Sequence, residues 1–550
     1  MARITSLGRR AARIVSLRRS AAKARRGEPD PSASGPWARA HLDGGSGLLS
    51  IVLESTEPTQ VRLRQSVASL TAQLDRVDAR THRLTLGAIE RYGTITPLRT
   101  GIWRLEAFTP QGWFPVLASE PTKGSVSDNA GAVNYRLYST PAGLELHSIS
   151  KQRFDQRWEP VQKYRAARLP RKASTRPVER SVVYECFWGQ QVSGNPRALI
   201  KPIRTRLPGI VEYWVIDPGS TYAPEGMSPL VRWSAEWYSV LASAGLVVSN
   251  AALPSHFQRR SGQTVLQTWH GTPLKRLGLD MLTFEHMGAS YTENLRTRSA
   301  QWSLLLAPNE HCSEVYPGAF DYDGQLLEVG SPRNDVLASG PDPDTVQRIR
   351  SGLSIPEGHR VVLIAPTFRD GAHQSGGAAA VGHIDLDRLC RALGDQVTVL
   401  FRAHNWISAT DAPVEHPNLL NVSDYPDIAD LYQVADLLVT DYSSVMFDFA
   451  VTGRPMVFHT PDLEHYRDEL RGWYFDLQAV APGPITRTAD ELSAAIAHGL
   501  AVGAPGEYAE RYEAFVQRFN AWERGDASQR VADALVKASV FDAVSPKDSL

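Results

Sequence analysis

Three short stretches hold residues whose types and spacing could do chemistry. The first is "VLQTWHGTPLKRLGLD", residues 265–280, where an apolar run breaks into Trp269, His270, Gly271, Thr272 and Pro273, with Lys275 and Arg276 close behind. An imidazole titrates near neutral pH and is a candidate general base. Gly271 allows unusual backbone angles or a close approach, and the two cations suit a phosphate. The second is "VTVLFRAHNW", residues 397–406, where Arg402 and His404 stand two apart and point to the same side of an extended chain. A cation beside an imidazole suits a phosphate or diphosphate. The third is "ADLLVTDYSSVMFDFAVTGRP", residues 435–455. An apolar strand ends at Thr440, Asp441 and Tyr442 turn the chain, and Ser443 or Ser444 caps a helix carrying Asp448 one turn in. A helix start offers free N–H groups and a positive dipole end to phosphate, and the Asp448 carboxylate can accept from ribose hydroxyls. Each stretch also has a plainer reading: a histidine bonded to a carbonyl, a surface arginine, a simple helix cap.

Two lesser features adjoin these. "APTFRD", residues 365–370, places Thr367 after another strand end, lining the same cleft. "DPD", residues 342–344, is similar to the acidic metal-binding pair of some sugar transferases, but it lies in a Pro-rich junction and is not read as a metal site.

The elements that must position these residues alternate from Ser181 onward. Strands are expected at 181–187, 211–217, 246–253, 264–269, 360–368, 397–404, 436–440 and 455–460, with helices at 196–206, 231–245, 386–395, 427–435 and 443–453. Such alternation implies parallel sheets covered by helices. Two tandem Rossmann-like domains are expected, at 176–342 and 343–540, with ligands outside the carboxyl ends of the strands. Residues 47–165 read differently, as short alternating segments between turn residues, and predict a small all-β sandwich-like accessory domain. Residues 1–46 read as a basic tail and a Pro/Ser/Gly-rich linker, and 156–178 as a basic, loop-like junction.

The 550 residues exceed one core. Lys+Arg and Asp+Glu both total 59, so net charge gives no pointer to nucleic acid, and none is expected as a partner. The three cysteines, Cys186, Cys312 and Cys390, lie far apart, against a disulfide framework or paired-thiolate zinc site and in favour of a reducing cytoplasm. No apolar run of about 18 residues is present to span a bilayer. Residues 1–26 hold nine Lys/Arg and no acid, with a thin apolar face. They are not a secretory signal. They fit an amphipathic helix on an anionic membrane surface, or a solvated basic tail.

Taken in order, "QTWHGTPLKRLG" (267–278), "FRAH" (401–404), "VTDYSSVMFDFAVTGRP" (439–455) and "GDASQR" (525–530) resemble the CDP-glycerol glycerophosphotransferases of teichoic-acid and related polymer synthesis, as does "CFWGQQVSGNPRAL" (186–199). The likeness covers about 180–535 and implies a GT-B-like fold. It further implies transfer of glycerol phosphate from CDP-glycerol, or a related polyol phosphate from CDP-ribitol, to a hydroxyl of a lipid-linked or polymeric acceptor, releasing CMP. His270 would take the acceptor proton, with Gly271 and Thr272 beside it. His404 and Arg402 would steady the diphosphate and leaving CMP. Thr367, Thr440, Asp441, Ser443 and Ser444 would line the donor site, Asp448 would hold hydroxyls, and Lys275 would add charge near phosphate. Cations and a helix start would stand in for a metal, so no cofactor is expected. The expected location is cytoplasmic, peripheral on the inner face of the cell membrane. A GT-B glycosyltransferase using a nucleotide sugar and a non-catalytic polymer-binding protein are the alternatives.

Overall fold

Continuous apolar runs form the sheets that place the motifs. The computed structural model describes residues 37–43, 50–54, 60–65, 68–73, 75–76, 81–85, 90–91, 94–95, 101–109, 112–118, 125–127, 133–140, 143–150, 159–173, 177–217, 221–254, 257–281, 289–367, 384–402, 416–467, 472–503 and 506–541. The chain divides into two compact units, Met1–Arg153 with Pro218–Ser220, and Phe154–Asp217 with Thr221–Leu550.

The first unit is built from two mainly antiparallel sheets, of five and seven strands, and a two-stranded ribbon, Glu90–Arg91 with Thr94–Ile95. Alternation decides its core: Trp103, Leu105 and Ala107 of the strand Gly101–Thr109 are buried, while Arg104 between them is exposed. The unit begins earlier than the linker expected over 27–46, because Trp37–Asp43 is a strand paired antiparallel with Ser50–Glu54. Residues 1–26, and the membrane reading attached to them, fall outside the described residues.

The second unit opens with a helix, Glu159–Ala173, where a basic loop was expected. Tertiary contacts hold it against its composition. Ala166 and Leu169 pack on the neighbouring core, and Tyr238 Oη donates to Gln162 at 2.6 Å. A seven-stranded parallel sheet follows, in the spatial order Ser228–Val231, Val211–Ile216, Glu179–Glu185, Ala244–Ser249, Thr264–Gln267, Leu304–Ala307, Gln325–Glu328. The helix expected from 231 starts later, at Ala235, because Val231 still pairs in the edge strand and Ser234 caps the helix through Trp237 N–H at 3.0 Å. A second parallel sheet has the order Leu419–Asn421, Val397–Phe401, Arg360–Ile364, Leu437–Thr440, Met456–His459, Ile485–Thr486. Its strands Val397–Phe401 and Leu437–Thr440 are buried at every position, as doubly covered parallel strands are.

In both sheets the strand order reverses beside the first strand. The reversal lies between Glu179–Glu185 and Ala244–Ser249 in one, and between Arg360–Ile364 and Leu437–Thr440 in the other. Crevices for ligands form at such points. Between the sheets, Asp342 of "DPD" accepts from Thr345 N–H at 3.0 Å and caps the helix Pro343–Gly352. The C-terminal helix Ala527–Lys537 returns to the first sheet's side, where Asp335 accepts from the N–H groups of Ala527 and Ser528 at 2.9 and 2.8 Å. No helix among the described residues is long and apolar enough to cross a membrane.

Candidate active site

The two switch points open onto one cavity of about 380 Å³. From the first domain it is lined by Phe187, Trp188, Asn250, Trp269, His270 and Arg333; from the second by Ala365, Pro366, Arg402, Tyr432, Ser443, Ser444 and Asp448.

His270 follows the strand Thr264–Gln267, and its ring stays open to the cavity solvent although protein surrounds it. Its Nδ1 lies 3.0 Å from the Asn250 carbonyl, which can only accept, so Nδ1 carries the proton and Nε2 keeps its lone pair. Loss of hydration pushes the imidazole pKa below its ordinary value; the Asn250 bond opposes this and the Arg333 charge adds to it. The ring stacks on Trp269 at 4.4 Å and meets Phe187 at 5.8 Å. Phe187, Trp188 and Trp269 have φ of 43°, 58° and 49°, a left-handed conformation costly for bulky residues and concentrated at functional sites.

The neighbours of His270 make contacts of their own. A Cβ on Gly271 would meet Ser444 Oγ at 2.7 Å, so this glycine lets the two domains touch beside the cavity. Thr272 is buried and its Oγ1 accepts from Asn309 Nδ2 at 2.8 Å. Lys275 bridges to Trp473, with Nζ 5.2 Å above the Tyr466 ring. Backbone bonds from Arg276 N–H to Gly472 O (3.1 Å) and Tyr474 N–H to Leu274 O (2.9 Å) tie this loop to the second domain.

Across the cavity, Ser443 and Ser444 border the space, and Ser444 precedes the helix Val445–Ala450 without a side-chain capping bond. Thr440 Oγ1 donates to Ala365 O at 2.9 Å. Asp441 is buried and accepts from the N–H groups of Thr367 and Tyr442, at 2.8 and 2.6 Å. Arg402 reaches the cavity edge but donates through Nη1 to the carbonyls of Val422 and Tyr425, at 3.1 and 2.7 Å. His404 lies outside the described residues. Where the sequence reading has Asp448 accept from substrate hydroxyls, its oxygens already accept from Arg333 and from Asn334 Nδ2.

Arg333 is the residue that sequence reasoning passed over. It lies in "GSPRND", residues 330–335, close to the boundary expected between the two domains, and nothing local marks an arginine that pairs 115 positions away. Gly330 makes the turn that presents it: φ is +86° and a Cβ there would strike Trp522 O at 2.6 Å. Glu523 completes the network by accepting from Ser331 N–H and Asn334 Nδ2, and burial pushes its carboxyl up to about 7. The three cysteines are free and buried, so none is a nucleophile here.

Two parallel α/β domains that present their switch points to one cavity define a GT-B-type fold. Residues 170–537 match the family model described as CDP-Glycerol:Poly(glycerophosphate) glycerophosphotransferase, and the chain belongs to that family. It is 37% identical over 375 residues to the teichoic acid poly(glycerol phosphate) polymerase of Bacillus subtilis (strain 168), across 66% of this chain and 50% of that protein. It is 34% identical to the teichoic acid glycerol-phosphate transferase of Staphylococcus aureus (strain NCTC 8325 / PS 47), across 66% of this chain and 94% of that one. The chain thus spans about half the length of the first of these relatives. The structure of the wall teichoic acid polymerase TagF matches with a TM-score of 0.63 at 30% identity, covering 72% of this chain and 100% of that chain. A variant of TagF with CDPG matches with a TM-score of 0.62 at 31% identity, covering 71% and 98%.

Proposed function

We propose that the protein transfers a polyol phosphate, glycerol phosphate first among them, from a CDP-linked donor to a hydroxyl at the end of a lipid-linked or polymeric acceptor. The observation that carries this reading is the tautomer of His270, which leaves the Nε2 lone pair available in a cavity whose opposite side holds Ser443 and Ser444. The acceptor oxygen attacks the β-phosphorus while Nε2 takes its proton. The new P–O bond forms as the bond to the α-phosphate oxygen breaks, and CMP leaves with that electron pair. Such transfers depend on positioning and charge stabilisation. His404 and Arg402, after the strand Val397–Phe401, would serve the diphosphate end. Family membership and the TagF–CDPG likeness support the donor class. The transfer as drawn routes no step through a metal, so CMP release should be unchanged by EDTA.

The test is a donor screen on the full chain. CDP-glycerol, CDP-ribitol and UDP-sugars are each supplied with a lipid-linked oligo(glycerol phosphate), and CMP, UDP and product length are measured. CMP release from a CDP-polyol is the expected result; UDP release alone would replace this reading with a glycosyltransferase. Residues 1–26, with their nine cations, would hold the enzyme peripherally on the inner face of the membrane. Equal pelleting with anionic liposomes before and after their removal would contradict that.

A further inference from the structure

Arg333 comes from the first domain, yet its side chain is fixed by the second. Nε and Nη2 donate to the two oxygens of Asp448 at 3.0 and 2.7 Å, a bidentate fork. Asn334 Nδ2 braces the same carboxylate at 3.0 Å and reaches Glu523 at 3.1 Å. Both partners of the pair border the cavity, with side chains 11% exposed. The fork uses two of the three guanidinium nitrogens. The third, Nη1, has no acceptor among the described residues. A nearly buried ion pair is a weak source of stability, while a cation held by a fork at a cleft floor is preorganised to receive an anion.

We propose that Arg333 Nη1 binds a non-bridging oxygen of the phosphoryl group being transferred, and that Asp448 is a positioning residue which aims it. The inference rests on the transfer proposed above and assigns one of its charge-stabilising groups. As the acceptor oxygen bonds to phosphorus and the CMP oxygen departs, negative charge spreads over the non-bridging oxygens, and a fixed guanidinium stabilises that charge. The geometry also couples the two domains to the reaction. Arg333 stands in one domain and its aiming carboxylate in the other, so the cation is in place only while they meet.

The experiment measures CMP release from CDP-glycerol, with the lipid-linked oligo(glycerol phosphate), for the wild type, R333K and the double variant R333A/D448N. The double variant removes both charges together and leaves neither unpaired. Expected are Tm values within a few degrees of wild type, kcat lower by about 10²–10³-fold, and a KM for CDP-glycerol changed by less than the loss in kcat. Millimolar methylguanidinium should restore part of the lost rate in the double variant and none in R333K, where a lysine fills the space. A kcat within threefold of wild type in either variant would overturn the assignment. So would a loss that tracks Tm and ignores methylguanidinium, since that is the signature of a domain latch. If the wild type itself releases no CMP from any CDP-polyol, the transfer reading fails instead, and the two failures are told apart.

Discussion

The two sides of the cavity treat their polar residues in opposite ways. On the first domain's side, His270 spends one nitrogen on a backbone carbonyl and keeps the other, and strained aromatic residues surround it. On the second domain's side, Thr440, Asp441 and Arg402 direct hydrogen bonds inward, to Ala365, Thr367, Tyr442, Val422 and Tyr425. Ser443 and Ser444 border the space there, and Ser444 makes no side-chain capping bond. The contrast has a physical origin. Loops after parallel strands lose the sheet's hydrogen bonds, so something must pin them before they can present a ligand site. Asp441 does this by joining the loops after Ile364 and Thr440. Substitution of His270 should therefore slow the reaction, and substitution of Asp441, which ties two of the second side's loops together, should loosen the fold.

The largest effect is expected at His270. Loss of a well-placed general base costs on the order of 10²–10⁴ in rate, so His270→Ala should lose that much kcat, while its Tm moves little because the exposed side chain gives up one hydrogen bond, to Asn250 O, and ring contacts at the cavity edge. The pH profile sharpens the claim. The base must be neutral, and its pKa lies below the usual histidine value of 6.5 because of lost hydration and then the Arg333 charge. Activity is then full above that pKa and falls as pH drops through it, so the acid limb of kcat/KM should lie below 6.5. A limb above 6.5, or full turnover by the alanine variant, would remove His270 from the role.

Asp441→Ala should do the reverse. Two buried N–H groups lose a charged acceptor, and hydrogen bonds to charged groups contribute about 1.5–3 kcal/mol each. A destabilisation of about 3 kcal/mol is expected in urea unfolding, with kcat/KM per folded molecule within severalfold of wild type. A stable but inactive variant would place Asp441 with the substrate and break the contrast.

The alternation of strands and helices, both domains and the His270 loop were legible because each is local in sequence. Strand ends in a parallel sheet are where ligands collect, so a polar residue after an apolar run is a fair candidate. What a side chain does there was not legible. Asp441 and Asp448 read as ligands, and the partners they meet in the fold stand 74 and 115 residues away, beyond the reach of any local pattern. Arg333 shows the same limit from the other direction: its motif sits in a junction, and only the fold carries it to the cavity. The helix Glu159–Ala173 was missed because its composition is basic and its support lies in Tyr238 and the neighbouring core.

Gly271 belongs to neither side, because it is where they touch. Gly271→Ala places a methyl 2.7 Å from Ser444 Oγ. The clash should cost about 1 kcal/mol or more in stability and reduce kcat/KM by displacing the loop. Adding Ser444→Gly should return the stability lost to the alanine, because the clashing atoms are then gone. Stability that is additive across the double-mutant cycle would mean the two positions do not meet.

The smallest effect is expected at Lys275, the residue whose role the contrast decides most sharply. Its sequence neighbours suggest a phosphate ligand, but it borders the contact between domains rather than the cavity. Its Nζ lies 5.2 Å above the Tyr466 ring, which in turn stacks on Tyr442 at 4.2 Å. A partly exposed cation over an aromatic face is worth about 0.5–1 kcal/mol. Lys275→Met keeps the aliphatic stem and removes the charge, so Tm should fall slightly and kcat should stay within about threefold, a change under 1 kcal/mol. Raising salt should narrow the Tm gap, because the attraction is electrostatic and near the surface. A loss of tenfold or more in kcat at unchanged Tm would move Lys275 to the first side's class, as a cation that meets phosphate during turnover.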